Sequence, residues 1–223
     1  MVAHTLSFWQ KIGRIFTKPT EFWSDIAHEN EFAPALWYYL GVNALGGGVT
    51  LVFASLNRHI YAQPVLRALS VFTHQQNPVI LGNHNAIQLI VSLVFALVSY
   101  LLFTLVFTLF TQLVLRLFKA QGSYADTFIV YAYAATPRSL LGTIPVVGWL
   151  AAFFGIVLAV LGLSKRHSVT PQAAFGSYFL AWLAIVVIAV LIFILAIIAA
   201  AIVLTALKDG AGTAAFPQAI QSL

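Results

Sequence analysis

Residues 121–149 read Q-G-S-Y-A-D-T-F-I-V-Y-A-Y-A-A-T-P-R-S-L-L-G-T-I-P-V-V-G-W, and an apolar run to G-L-S-K-R-H at 162–167 follows. This stretch places a carboxylate, tyrosines, an arginine, two prolines and spaced glycines inside or beside segments of hydrocarbon length. Polar groups in a bilayer are costly unless they have partners, so we expect packed protein or an aqueous cavity around them. The rest of the chain must supply those partners.

The composition indicates a membrane protein. Of 223 residues, 61% are hydrophobic and only 8% are charged, whereas soluble domains have roughly 25% charged residues. The net charge of +5 comes from residues that flank the apolar runs, so it bears on membrane orientation and does not indicate nucleic-acid binding. The chain has no cysteine, which excludes a disulfide framework and thiolate chemistry.

The apolar runs predict an all-α fold, a polytopic transmembrane bundle of about five helices. The five segments fall at 34–56, 86–115, 126–141, 144–163 and 174–207. We therefore divide the chain into an amphipathic segment at 1–33, the membrane domain at 34–207 and a flexible tail at 208–223.

Residues 1–33 predict amphipathic helices at the membrane interface. Apolar side chains recur at helical spacing from Phe8 to Phe16, with cations between them, and Pro19 begins a second short helix. In this interpretation the rings point into the membrane and the cations point toward lipid phosphates. The predicted interfacial anchors are Trp9, Lys11, Arg14 and Trp23. A docking surface for a cytoplasmic partner is the alternative.

The third segment carries the candidate functional polar cluster: Asp126, Tyr131, Tyr133 and Arg138. Ser123 and Asp126 have the spacing of a capping box, which favours a structural role for Asp126 over proton or ion handling. As a cap, Asp126 would tolerate substitution by asparagine. Twelve positions separate Asp126 from Arg138, about 18 Å of helix, so each needs a partner elsewhere.

The fourth segment carries a packing signal. Small side chains repeat at spacings of four and three, which predicts a helix-packing seam where a neighbouring helix approaches closely. The seam consists of Gly148, Ala152, Gly155, Ala159 and Gly162. Leu158 is expected on another face.

Motifs for catalysis or cofactor binding are missing from the sequence. His59, His74 and His84 lack metal-ligand spacing, so we expect no metal site. There is no nucleophile–base pair, paired intramembrane carboxylate or phosphate-binding glycine loop. We predict that the protein is not an enzyme and needs no cofactor.

Four short motifs occur in order along the chain: Gly122-Ser123-Tyr124 with Thr127-Phe128; Tyr131-Ala132-Tyr133-Ala134-Ala135-Thr136-Pro137; Ile144-Pro145-Val146-Val147-Gly148-Trp149; and Gly162-Leu163-Ser164 with His167. Together they resemble the Ypt-interacting protein (Yip) family in its bacterial form, over nearly the whole chain. The family's tyrosine motif usually reads Y-G-Y-S-L, and here Ala132 replaces the glycine. Its acidic motif D-L-x-G-P is matched only in part, by residues 31–34.

The resemblance implies five membrane helices, a cytoplasmic N-terminus and no enzymatic activity. Eukaryotic members bind Rab-type GTPases through longer N-terminal domains; we expect no such domain here, so a GTPase partner is not supported. Lysine and arginine are more numerous in the N-terminal segment, 116–126 and 164–173 than in the other connections, which also favours a cytoplasmic N-terminus.

These features predict a multi-pass protein of a bacterial inner membrane that organises or scaffolds the membrane, or has a trafficking-like role, through helix packing. Its expected partners are membrane lipids and either another membrane protein or a second copy of the chain. The alternative is a channel or transporter for a small solute, proton or ion, with the polar face of segment three lining the path.

Overall fold

The computed structural model describes residues 6–56, 86–144 and 146–212, and within these ranges all regular secondary structure is helical. The all-α prediction is therefore confirmed. The described helices are α1 (Phe8–Thr17), α2 (Pro19–Asp25), α3 (Phe32–Leu56), α4 (Ala86–Leu117), α5 (Tyr124–Ala134), α6 (Thr136–Leu141), α7 (Val147–His167) and α8 (Pro171–Gly212). The three histidines of the predicted loop lie outside the described residues.

Four of the described helices are long and apolar enough to cross a membrane. These candidate spans are Phe32–Val52, Ile90–Leu117, Val147–His167 and Pro171–Thr205. Predicted segment three is not one helix, because α5 ends at Ala134 and α6 begins at Thr136. Pro137 lacks an amide proton and suits a first helical turn, so it favours a new helix start at this point. The bundle of about five segments thus comprises four long helices and one broken pair.

The chain divides into two compact units, Met1–Leu180 and Ala181–Leu223. The predicted boundary at residue 33 does not separate units, because α1 and α2 belong to the first one. In the second unit, the described side chains of 190–204 are exposed and almost all apolar, as suits a lipid environment. Helix α8 continues to Gly212, five residues into the predicted tail.

Helix α5 is the centre of the first unit and packs against α3, α4 and α7. Six of its residues have no solvent exposure: Thr127, Phe128, Ile129, Val130, Ala132 and Tyr133. A helix buried on every side needs partners for each polar group that it carries. The partners of these polar groups define the candidate site.

Helix α2 and the turns after it lie at the end of the bundle where α5 begins and α7 ends. Lys165 of α7 donates hydrogen bonds to the main-chain oxygen of Thr20 and to Ser24 of α2, at 2.9 and 3.0 Å. The amide of Gln121 donates to the main-chain oxygen of His167 at the same end. The three segments that were predicted to share one side of the membrane therefore meet.

Candidate functional site

Asp126 caps α5 and also binds α7. Its carboxylate accepts hydrogen bonds from the amide and hydroxyl of Ser123, at 2.8 and 2.7 Å, and Ser123 Oγ accepts from the Asp126 amide. The predicted capping box is thus present. The second carboxylate oxygen accepts from Arg166 Nη1 at 2.8 Å. The cap therefore also anchors a neighbouring helix.

Arg166 joins three segments through one guanidinium group. Besides Asp126, it donates through Nη2 to the main-chain oxygens of Ile26 and Glu29, both at 2.8 Å. These oxygens belong to the turns after α2, where free carbonyl groups favour a cation. The side chain is only 5% exposed, and its Nε has no partner among the described residues. Loss of the carboxylate would leave a buried cation with fewer acceptors.

The electrostatics of Asp126 favour its charged form. Burial raises the pKa of the carboxyl, but hydrogen bonds from Ser123 and Arg166 and the charge of Arg166 outweigh burial and lower the pKa below its usual value of 3.8. Asp126 is therefore a carboxylate at neutral pH, as both the cap and the ion pair require.

Lys11, Glu29 and Tyr133 form a second polar cluster. Lys11 Nζ lies 2.7 Å from Glu29 Oε1 and donates to Tyr133 Oη at 2.8 Å, and Tyr133 Oη donates to Glu29 Oε2 at 2.5 Å. The side chains of Lys11 and Glu29 are 10% and 13% exposed. A buried cation and a buried anion are tolerable together because each satisfies the other. The cluster fastens α1 to α5.

Aromatic rings enclose this cluster. The rings of Phe22, Tyr38 and Trp23 lie 5.3, 4.5 and 6.5 Å from that of Tyr133 between centroids. Trp23 also lies against Gly162 of α7, where an added Cβ would come within 2.7–2.9 Å of the indole atoms. Only glycine therefore fits at this point of α7 without displacing Trp23.

His167 belongs to a third polar cluster, which lies next to the 118–123 connection. Gln112 donates to the Gly122 oxygen through Nε2 at 2.8 Å, which orients its amide so that Oε1 accepts from Thr127 at 2.5 Å. Since the Thr127 proton is then used, His167 Nε2 must donate to Thr127 Oγ1 over their 2.9 Å separation. His167 Nδ1 has no partner among the described residues and faces Gly122, where a Cβ would collide with it.

Neutral hydrogen bonds between tyrosine and threonine join α3 to α6 and to α4, and α5 to α4. The pairs are Tyr38–Thr136 at 2.9 Å, Tyr39–Thr104 at 2.7 Å and Tyr131–Thr111 at 2.8 Å. Each pair satisfies hydroxyl groups that would be expensive to bury alone. Thr104 and Thr111 of α4 thus receive partners from α3 and α5.

The predicted polar cluster of segment three is not one site. Asp126 meets Arg166, Tyr131 meets Thr111, and Tyr133 meets Lys11. Arg138 is exposed, and no hydrogen bond or ion pair joins its side chain to the described residues. Helix α5 is buried all round, so residues on its different faces meet different neighbours. No sequence pattern indicated that Arg166 binds Asp126 or that Glu29 binds Tyr133. The bond between Gln112 and Thr127 was not indicated either.

The interfacial anchors require a correction. Trp9 is 68% exposed, as an anchor requires, but Lys11 and Trp23 are buried and bind other side chains. Arg14 forms an ion pair with Asp25. The acidic residues that follow α1 neutralise its cations, so these cations do not point toward lipid phosphates as predicted.

The predicted seam contacts several neighbours and not one helix. Gly148 lies against the main chain of Gly142, and a Cβ at Gly155 would lie 2.9 Å from the Ala134 oxygen of α5. Gly162 receives Trp23 from α2, Ala159 is buried, and Ala152 is half-buried. Leu158 is also fully buried. Leu158, which was expected on another face, is therefore at least as buried as the small residues of the seam.

Among the described residues, no group of three or more acidic or histidine side chains could hold a metal ion.

The described helices define a multi-pass, all-helical integral membrane protein whose N-terminal segment is packed against the bundle. The family model for the Yip1 domain matches residues 13–192. The chain belongs to the Yip1 domain family. Comparisons with curated proteins and with solved structures gave no match.

Proposed function

We propose that the protein is a non-enzymatic organiser of the membrane that acts through helix packing. In this proposal it resides in a bacterial inner membrane with a cytoplasmic N-terminus. Its partners are lipids and further copies of the same chain. The family match supports the general class, and the specific role rests on the arrangement of polar and apolar surfaces described above.

The observation that carries the proposal is that the polar groups of α5 are engaged by protein. Asp126, Tyr131 and Tyr133 each bind a side chain of another element. A transport path needs polar groups that can exchange a protein partner for a solute or water. Groups that are tied to Arg166, Thr111 and Lys11 instead stabilise one arrangement of the helices. This supports a scaffold over the channel or transporter alternative.

Exposed apolar faces supply the surface for assembly. On α4, Ile90, Val91, Val94, Phe95 and Val98 are 49–73% exposed. On α7, the exposed apolar residues include Trp149, Phe153 and Val157. Such faces suit lipid or a second apolar helix.

Flux measurements separate the two functions. We expect proteoliposomes that contain the protein to show no proton or cation flux above protein-free vesicles. Proton or cation flux that disappears in Asp126→Asn, at equal amounts of folded protein, would establish the transporter alternative.

Assembly is measured by cysteine crosslinking in membranes, since the natural chain has no cysteine. We expect Phe95→Cys, on the exposed face of α4, to form a disulfide-linked dimer on mild oxidation. Ala151→Cys is the control because Ala151 is 5% exposed. If neither Phe95→Cys nor Val91→Cys crosslinks, self-association through this face is wrong.

A further inference from the structure

Helix α1 has one exposed face, which is uncharged; its two polar side chains are Gln10, which accepts from the Ser7 amide, and Thr17, which donates to a main-chain oxygen of the same helix. Trp9 is 68% exposed, Phe16 is 38% exposed, and Gly13 between them is also exposed. The three residues are spaced by four and three, so they lie along one side of the helix. A Cβ at Gly13 would meet nothing within 4 Å.

The cations of α1 do not reach this face. Lys11 is bound to Glu29, and Arg14 is bound to Asp25. Lys18, which follows α1, pairs with Glu21 at 2.9 Å. Every lysine and arginine between residues 6 and 33 thus has an acidic partner in the same segment. The segment has no spare positive charge for an anionic surface.

Helix α1 contacts three helices of the bundle: α3 through Phe8, α5 through Lys11 and α7 through Phe16. At its start, the ring of Phe8 lies 5.2 Å from that of Tyr38 in α3, which in turn lies 4.5 Å from that of Tyr133 in α5. At its end, Phe16 stacks on Phe154 of α7 with 6.2 Å between centroids.

Phe154, on which Phe16 stacks, lies far from the charged end of α7. Phe154 precedes Lys165 by eleven positions, or about 16 Å of helix, and follows Val147 by seven positions, or about 10 Å. The 21 residues of α7 extend roughly 31 Å, which barely equals the thickness of the hydrocarbon core. If α7 crosses the membrane, no part of it can protrude far, so Phe154 and the helix stacked on it lie within the hydrocarbon.

We propose that α1 is an embedded helix whose face Trp9–Gly13–Phe16 contacts lipid acyl chains below the headgroups. This face adjoins the outward side of α7, where Phe153 and Val157 are 62% and 52% exposed and meet the same medium. Internal pairing of its cations permits this depth, because an unpaired charge in hydrocarbon would be costly. The inference does not depend on the scaffold role.

Depth-resolved fluorescence quenching tests this placement. Trp23, Trp37, Trp149 and Trp182 are replaced by phenylalanine, which leaves Trp9 as the only tryptophan of the five. The protein is reconstituted in phosphatidylcholine vesicles that carry either bromine atoms at acyl carbons 9 and 10 or a nitroxide on the headgroup. We expect strong quenching of Trp9 by the brominated chains and weak quenching by the nitroxide. Phosphatidylglycerol or added salt should not change this ratio.

Two controls keep the result interpretable. A variant that retains only Trp23, which is 2% exposed, should be quenched by neither lipid. Because four substitutions could impair folding, the contribution of Trp9 is also obtained as the difference between the parent protein and Trp9→Phe. Stronger quenching by the headgroup nitroxide would overturn the proposal in favour of a surface helix. Absence of quenching by both lipids would overturn it in favour of a face covered by protein.

Discussion

Arg166 Nη1 lies 2.8 Å from Asp126 Oδ1, and this ion pair joins the last turn of α7 to the capped first turn of α5. The same guanidinium holds two main-chain oxygens after α2. The Arg166 side chain therefore links the N-terminal segment to both α5 and α7.

Asp126→Asn should destabilise the protein although the cap can be retained. Asparagine can still accept from the Ser123 amide, but its NH2 group then replaces the oxygen that accepts from Arg166, so the ion pair and this hydrogen bond are lost. We expect a loss of about 1–3 kcal/mol, measured by thermal unfolding in detergent. Asp126→Ala should cost more, because it removes the cap as well. If Asp126→Asn matches the parent protein, the ion pair adds nothing to the cap.

The stabilisation by Asp126 should depend on pH. The folded-state pKa of Asp126 is lowered below the usual 3.8. The folded protein therefore favours the ionised carboxylate, and the unfolded chain binds a proton more readily. The contribution is therefore fully present well above pH 3.8 and is lost as the pH falls through the folded-state pKa. The difference in melting temperature between the parent and Asp126→Asn should narrow below about pH 4. A constant difference from pH 7 to pH 3 would contradict this.

The sequence predicted the helices and the cap better than the site. Hydrophobic run length marks membrane helices, and a capping box is local, so both could be predicted from short windows. The side-chain pairs could not. Lys11 and Tyr133 are 122 positions apart, and nothing in either local pattern indicates the other. The prediction that Lys11 points to lipid was wrong because it treated α1 apart from the acidic residues that follow it.

The Lys11–Glu29 pair should show coupling in a double-mutant cycle. Lys11→Met leaves Glu29 with only the Tyr133 hydroxyl among the side-chain donors described here, and Glu29→Gln leaves Lys11 without a counter-charge. Each single variant should lose about 3–5 kcal/mol, since one charge remains buried without its partner. The double variant should lose clearly less than the sum. Equal and additive losses in thermal unfolding would show that the pair is not energetically coupled.

The control for this cycle is the exposed pair Lys18–Glu21, whose side chains are 58% and 59% exposed. Lys18→Met should change stability by less than about 1 kcal/mol, because an exposed ion pair gains little net free energy. A comparable loss at both lysines would point to a general effect of positive charge in the N-terminal segment.

A topology reporter after Leu207 should lie on the side opposite to a reporter inserted at Ala120. Helix α5 begins beside Arg166, and α7 ends there, so α5 and α6 together lead away from this end before α7 returns to it. The broken pair then counts as a crossing, and the span that begins at Pro171 makes the final one. Two reporters on one side would show that the pair does not cross.

The small-residue positions of α7 should differ sharply from a glycine without neighbours. Gly162→Ala places a methyl group 2.7–2.9 Å from the buried indole of Trp23, which must move against Tyr133, whereas Gly48→Ala on α3 meets nothing within 4 Å. We expect Gly162→Ala to cost about 1–3 kcal/mol by overpacking and Gly48→Ala to be neutral or stabilising, since alanine favours a helix. Thermal unfolding of the two variants measures the difference. The tryptophan fluorescence spectrum should also change only in Gly162→Ala. Equal melting temperatures would mean that Trp23 does not need the space at Gly162.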